Sequence, residues 1–181
     1  MVFSGVVSLL EERYSRKVMA IWDELREALR QPPVPTTIPH FTYHLAGDYD
    51  SRGLRTIGDS LAIEGRGFST WTNGLGLFTH PKPVLYISLV RNLELSRFQR
   101  WVWYEVDKAA EGSVDYYTPE RWMPHITLIE GLDVEALLTG IRLLGARDFN
   151  WKLDVDNLAF IRGTDSGHKV EFELKLQPRH G

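Results

Sequence analysis

Two short motifs of the same kind occur in the sequence: His40-x-Thr42 and His125-x-Thr127, each directly after a proline. Residues two positions apart on a strand point to the same face, so each motif would present an imidazole beside a hydroxyl. Taken singly, either histidine is more often structural than functional. The presence of two equal motifs is what indicates chemistry.

Cleavage of a phosphodiester requires a base that takes a proton from the attacking oxygen and an acid that protonates the leaving oxygen. Two histidines suit this, because an unperturbed pKa near ~6.5 allows one to be neutral while the other is charged. Each such proton transfer typically contributes roughly 10²–10⁴ in rate. The threonine hydroxyls can hydrogen-bond to the non-bridging oxygens, where negative charge accumulates.

The elements that must position the first motif follow from periodicity. The apolar run 4–10 predicts a strand, and apolar residues at three- and four-residue spacing over 14–29 predict a helix that ends at Gln31-Pro32-Pro33. Alternation over 40–46 predicts the strand that carries His40. A helix opened by Asp50 or Ser51 and ended by Gly65 follows, and then a strand or hairpin over 67–79 that is interrupted at Gly74 and Gly76.

The same order recurs in the second half. A strand is predicted at 84–90, a helix from Leu95 to Ala109, the second motif strand at 125–129, and a helix from the cap Asp133 to Gly145. A further strand begins near Trp151, and a clean alternating strand covers 169–176 after a Gly163–Gly167 turn.

This repetition predicts an α+β fold of two pseudosymmetric lobes, with antiparallel-rich sheets flanked by helices. His125 lies 85 positions after His40, and Trp151 lies 85 after Arg66. We expect one domain over 1–181, with lobe one at about 1–80 and lobe two at about 81–181. An approximate twofold axis would then bring the two His-x-Thr strands face to face along a central groove.

Composition limits the function classes. A net charge of −3 disfavours nonspecific binding along duplex DNA, and the absence of cysteine excludes disulfides, thiolate metal sites and cysteine nucleophiles. The apolar run within 1–12 has no basic flank and is too short for a signal peptide or membrane span. We therefore expect a cytoplasmic protein, monomeric and without a membrane partner.

These motifs resemble the two-histidine (2H) phosphoesterase superfamily, which includes 2′-5′ RNA ligase-like and cyclic phosphodiesterase enzymes. Residue-level agreement lies mainly in PHFTY at 39–43, GLGLF at 74–78 and PHITL at 124–128. The resemblance implies that His40 and His125 are the catalytic pair, that Thr42 and Thr127 bind phosphate, and that no metal or cofactor takes part. The implied partner is a nucleotide or RNA terminus that carries a phosphodiester.

Four other residues are weaker candidates for substrate contact. His44 would share the strand face of His40, and Tyr43 follows Thr42 directly. Trp122 could stack on an unpaired base, with core packing as the alternative. Arg121 beside it could contact phosphate. A structural role for His44 competes equally, and His80 and His168 are taken as loop and turn residues without chemistry.

Three functions remain open at this point. The first is cleavage of 2′,3′-cyclic phosphates at RNA ends or on nucleotides. The second is cleavage or ligation of 2′-5′ phosphodiesters by the same groups, with a ribose hydroxyl in place of water. The third is a nucleotide- or RNA-end-binding module that has kept the groove without turnover.

Overall fold

The computed structural model describes residues 3–29, 37–80, 82–131, 133–164 and 167–179. Within them the chain forms nine strands and four α-helices, with a short 3-10 helix at Asp115–Tyr117. In chain order these are β1 (Ser4–Leu9), α1 (Glu12–Leu29), β2 (His40–Tyr49), α2 (Ser51–Glu64), β3 (Phe68–Phe78), β4 (Val84–Leu89), α3 (Leu93–Asp107), β5 (Ala110–Ser113), β6 (His125–Glu130), α4 (Val134–Leu144), β7 (Lys152–Val155), β8 (Asn157–Thr164) and β9 (Gly167–Lys175).

The strands form two antiparallel sheets, which confirms the predicted α+β class. The first sheet has the order β5-β2-β1-β8-β9, and the second has the order β6-β4-β3-β7. The motif strands β2 and β6 belong to different sheets and contact each other. The strands that carry the two His-x-Thr motifs therefore meet where the sheets adjoin.

The two halves of the chain contribute strands to both sheets. β3, the third strand of the first half, pairs with β4 of the second half, whereas β8 of the second half pairs with β1 of the first. Each sheet therefore contains strands from both sides of residue 80. The lobe boundary near residue 80 stays a prediction. Periodicity shows that a segment forms a strand, but it carries no information about the strand's partner.

The helices cover the sheets in the same crossed manner. α1 packs against α4 and β6 of the second sheet, and α3 packs against β2 of the first. The apolar stripe of α1, from Tyr14 to Leu25, is buried as its spacing predicts. The predicted caps are confirmed, since the side chains of Asp50 and Asp133 accept hydrogen bonds from backbone N–H groups of α2 and α4. The predicted helix end at Gln31-Pro32-Pro33 lies outside the described residues.

Two strands differ from expectation. β3 is one continuous strand of 11 residues, and its pairing with β4 contains an irregularity between Thr72 and Leu75. Gly74 lies there with a φ of 111°, a conformation that glycine adopts without steric cost. β8, which no alternation indicates, is buried from Asn157 to Ile161 because both of its faces are covered. Leu158 and Phe160 pack in the main core, and Ala159 and Ile161 pack in a smaller cluster with Val7.

Candidate active site

The two motifs have the same pattern of burial. His40 and Thr42 on β2 are partly exposed, and so are His125 and Thr127 on β6. The residue between each pair is fully buried in the core. Each motif therefore presents its imidazole and hydroxyl on one side, as the strand period predicts.

A register shift follows the threonine of each motif. Val7 pairs with Thr42 but Val6 pairs with His44, so Tyr43 is the extra residue. In the second sheet Tyr86 pairs with Thr127 but Leu85 pairs with Ile129, which makes Leu128 the extra residue. The bulges lie at equivalent positions and end the alternation that the motifs begin.

His44 is therefore not on the face of His40, and the expected alternation is wrong at this point. Its side chain is fully buried, with Nδ1 2.8 Å from the hydroxyl of Tyr49 and Nε2 3.4 Å from Asp107. Burial lowers the pKa of His44, which favours the neutral ring. His44 links β2 to α3 as a structural residue.

The two motif imidazoles are held in the same way. Nδ1 of His40 lies 2.6 Å from the carbonyl of Ile38, and Nδ1 of His125 lies 2.7 Å from the carbonyl of Met123. A carbonyl only accepts hydrogen bonds, so each Nδ1 carries the proton and donates. Nε2 is then the nitrogen that takes up or releases a proton.

The electrostatics favour the neutral form of both rings. Burial lowers the pKa of His40 to about 4, and the positive charges of His168 and His125 add to this effect. Burial also lowers the pKa of His125. The strands that carry the two imidazoles, β2 and β6, contact each other.

Indole N–H groups hold the backbone of both threonines. Nε1 of Trp122 donates to the carbonyl of Thr42 at 2.7 Å, and Nε1 of Trp22 donates to the carbonyl of Thr127 at 3.2 Å. The side chain of Thr42 is also hydrogen-bonded to that of Tyr117, whose pKa burial raises to about 12. These bonds fix the strand positions from which the hydroxyls project.

Two of the weaker candidates are core residues. Trp122 is 1% exposed and packs against Tyr43, which is fully buried with its hydroxyl 2.8 Å from that of Ser8. Burial excludes the predicted stacking of Trp122 on a base and the predicted substrate contact of Tyr43. In both cases the large apolar ring fills the interior behind β2, while its polar atom bonds within the protein.

The model of the 2′-5′ RNA ligase superfamily matches residues 14–167. The chain belongs to this superfamily. This result confirms the two-histidine phosphoesterase resemblance that the paired motifs indicate. No curated protein matches the sequence.

Several solved structures share the fold of this chain although their sequence identity to it is low. TT0787 of Thermus thermophilus is 18% identical with a TM-score of 0.67, covering 99% of this chain and 100% of that one. LigT of E. coli with ATP is 14% identical with a TM-score of 0.66, covering 97% and 98%. Usb1 of Kluyveromyces marxianus is 12% identical with a TM-score of 0.54 and the same coverage as LigT.

The two superfamily motifs have different neighbours in this chain. The His125 ring lies 5.0 Å from the ring of Phe78 and 5.2 Å from that of Tyr86, between centroids. The His40 ring has His168 as its neighbour, at 5.9 Å. Sequence reasoning missed these three residues, because each lies on a strand whose partner the sequence does not reveal. The only available signal was the GLGLF segment, which ends at Phe78.

Arg121 is exposed, and its guanidinium lies 4.5 Å from the ring centroid of the exposed Tyr116. Contact of Arg121 with a ligand remains a prediction. Among the described residues, His, Asp and Glu side chains nowhere form a group of three able to hold a metal ion. Of the helices within the described ranges, none is long and apolar enough to cross a membrane.

Proposed function

We propose that this protein is a phosphoesterase that opens 2′,3′-cyclic phosphates at RNA ends or on nucleotides, with His40 and His125 as paired general acid and base. The observation that carries the proposal is the matched state of the two imidazoles. Both are partly exposed, both donate Nδ1–H to the carbonyl two residues earlier, and they lie on contacting strands. Each Nε2 is thereby assigned to proton transfer.

The reaction divides between these groups as follows. A neutral imidazole accepts a proton from water at Nε2 as the water oxygen forms a bond to phosphorus. The other imidazole, protonated, donates to the ribose oxygen as the bond between that oxygen and phosphorus breaks. Thr42 and Thr127 donate hydrogen bonds to the non-bridging oxygens, where the transition state gathers charge. The product is a ribose phosphomonoester.

Known ligands of a similar structure support the nucleotide part of the proposal. LigT of E. coli has been crystallised with ATP, with 3′-AMP and with phosphate. For the present chain we propose a nucleotide or RNA terminus as the ligand. Arg121 beside Tyr116 is a candidate for contact with it, since guanidinium groups bind phosphate and exposed aromatic rings stack on unpaired bases.

The family name favours a second candidate function, cleavage or ligation of 2′-5′ linkages. The same two imidazoles serve it, with a ribose hydroxyl as the nucleophile. Incubation with 2′,3′-cyclic nucleotides and with 2′-5′ dinucleotides separates the two activities. Binding of both without turnover of either would instead indicate a binding module.

The direct test replaces each histidine. His40→Ala and His125→Ala should each lower kcat/KM by about 10²–10⁴ while the fold is retained, because each removes one proton transfer. The matched control is His80→Ala, which removes an exposed histidine and should leave turnover unchanged. Retained activity in either motif variant would contradict the proposal.

A further inference from the structure

A third histidine, His168, lies on the same side of the first sheet as the His40 motif. It is the second residue of β9. Val170, two positions further along, packs in a cluster with Val7, which is the strand partner of Thr42. Since residues two apart on a strand share a face, His168 faces the side on which Thr42 lies.

His168 contacts His40 directly. The two rings meet edge to face, with centroids 5.9 Å apart and planes at 64°. Both residues are partly exposed, so a ligand can approach the pair from solvent. At this separation His168 is close enough to donate a hydrogen bond to a phosphoryl group that lies beside His40.

The ion pairs of the neighbouring hairpin involve residues on the face of the sheet opposite to His168. On the hairpin of β8 and β9, Arg162 lies 3.6 Å from Asp48 and 3.5 Å from Glu171, and Lys169 lies 3.9 Å from Glu171. Lys169 follows His168 on the strand and so points to the opposite face. The charges that act on His40 are those of His168 and His125.

The environment of His125 is different. Its flanking rings are Phe78, which cannot ionise, and Tyr86, whose pKa burial raises. The two motifs are thus alike in sequence, but their histidines have different neighbours. His40 lies beside an ionisable imidazole, whereas His125 lies between the aromatic rings of Phe78 and Tyr86.

We propose that His168 is a third imidazole of the site, which binds the phosphoryl group beside His40 and leaves His40 as the proton acceptor. The inference rests on the proposed phosphoesterase function. When protonated, His168 donates a hydrogen bond to a phosphoryl oxygen. Its charge disfavours a second proton on His40, so the proton needed by the leaving oxygen is carried by His125.

The first experiment measures binding without turnover. The Hε1 signals of the histidines are followed by NMR during titration with inorganic phosphate at pH 6, in wild type, His168→Gln and the control His80→Gln. We expect phosphate to shift the His168 signal and to bind about tenfold more weakly to His168→Gln, through loss of one charged hydrogen bond. The His80→Gln variant should bind as wild type does.

The second experiment measures the pH dependence of kcat/KM. Loss of the His168 charge removes repulsion across about 6 Å, so the acidic limb in His168→Gln should move to higher pH by roughly 0.5–2 units, for effective dielectric constants between 80 and 20. His168→Lys keeps the charge and should keep the limb near its wild-type position. A merely structural role would predict equal effects of Gln and Lys.

The outcomes separate this inference from the proposed function. If wild type turns over substrate but His168→Gln matches His80→Gln in phosphate affinity and in pH profile, the inference about His168 is overturned alone. If phosphate binds at His168 and no phosphodiester is turned over, the phosphoryl contact is supported and the proposed function fails. Circular dichroism of each variant verifies that it is folded.

Discussion

The substitution Gly76→Ala tests how closely the second sheet is fitted around His125. A Cβ atom at position 76 would lie 2.2 Å from Cε2 and 2.6 Å from Oη of Tyr86, its cross-strand partner. The ring of Tyr86 would have to retreat by about 1 Å to reach ordinary contact distance, in a core that is already close-packed. That ring lies 4.3 Å from the ring of Phe78 and 5.2 Å from that of His125.

We expect Gly76→Ala to lower the free energy of unfolding by about 1–3 kcal/mol, the usual cost of overpacking. We also expect it to lower kcat/KM by about 10–100-fold, because a 1 Å displacement of a positioning group can cost that much. Chemical denaturation and steady-state kinetics measure the two effects. Gly47→Ala is the control, since its Cβ would meet the carbonyl of Glu111 at 3.4 Å.

The cause is isolated by a double-mutant cycle with Tyr86→Leu. If the clash with the ring is responsible, Gly76→Ala should cost less than about 0.5 kcal/mol once the ring has been removed. An equal cost in both backgrounds would refute the reasoning, because the backbone of β3 rather than the ring of Tyr86 would then be the source of the loss.

Three further predictions concern pH, the tryptophan support and metals. The pKa of His40 falls from 6.5 to about 4 on folding, so between these pH values the unfolded chain binds a proton that the folded chain does not. The free energy of unfolding should therefore decrease by about 3 kcal/mol as the pH drops through this interval. In His40→Gln, chemical denaturation should show a weaker dependence of this free energy on pH. Trp122→Phe leaves the carbonyl of Thr42 without its indole donor and should lower the free energy of unfolding by about 1–3 kcal/mol. The control is Trp71→Phe, which should change thermal unfolding little because Trp71 is 46% exposed. EDTA should leave turnover unchanged, since both proton transfers are assigned to imidazoles; loss of turnover that is restored by added Mg²⁺ or Mn²⁺ would contradict this assignment.

Periodicity predicted most elements of the fold, and it predicted that the histidine and threonine of each motif share one strand face, because both depend on local spacing. Where it went wrong, a nonlocal partner decided the outcome. His44 faces α3 since a bulge follows Thr42, and the extra residue of a bulge is visible only in the pairing with β1. His168, predicted as a turn residue, is the second residue of β9, and its ring meets that of His40 although β1 and β8 lie between their strands in the sheet. Such a contact depends on the folded sheet and has no signal in local spacing.

The crossed placement of β3 and β8 has a consequence for how the molecule comes apart. A fragment that ends near residue 80 would carry β3 without β4, and its β1 would lack the neighbour β8. The fragment before residue 80 and the fragment after it would each leave sheet edges unpaired, so the two fragments should associate or remain unfolded. The intact chain should therefore unfold in a single cooperative transition. The relative position of the two motif strands should thus be lost only when both sheets unfold.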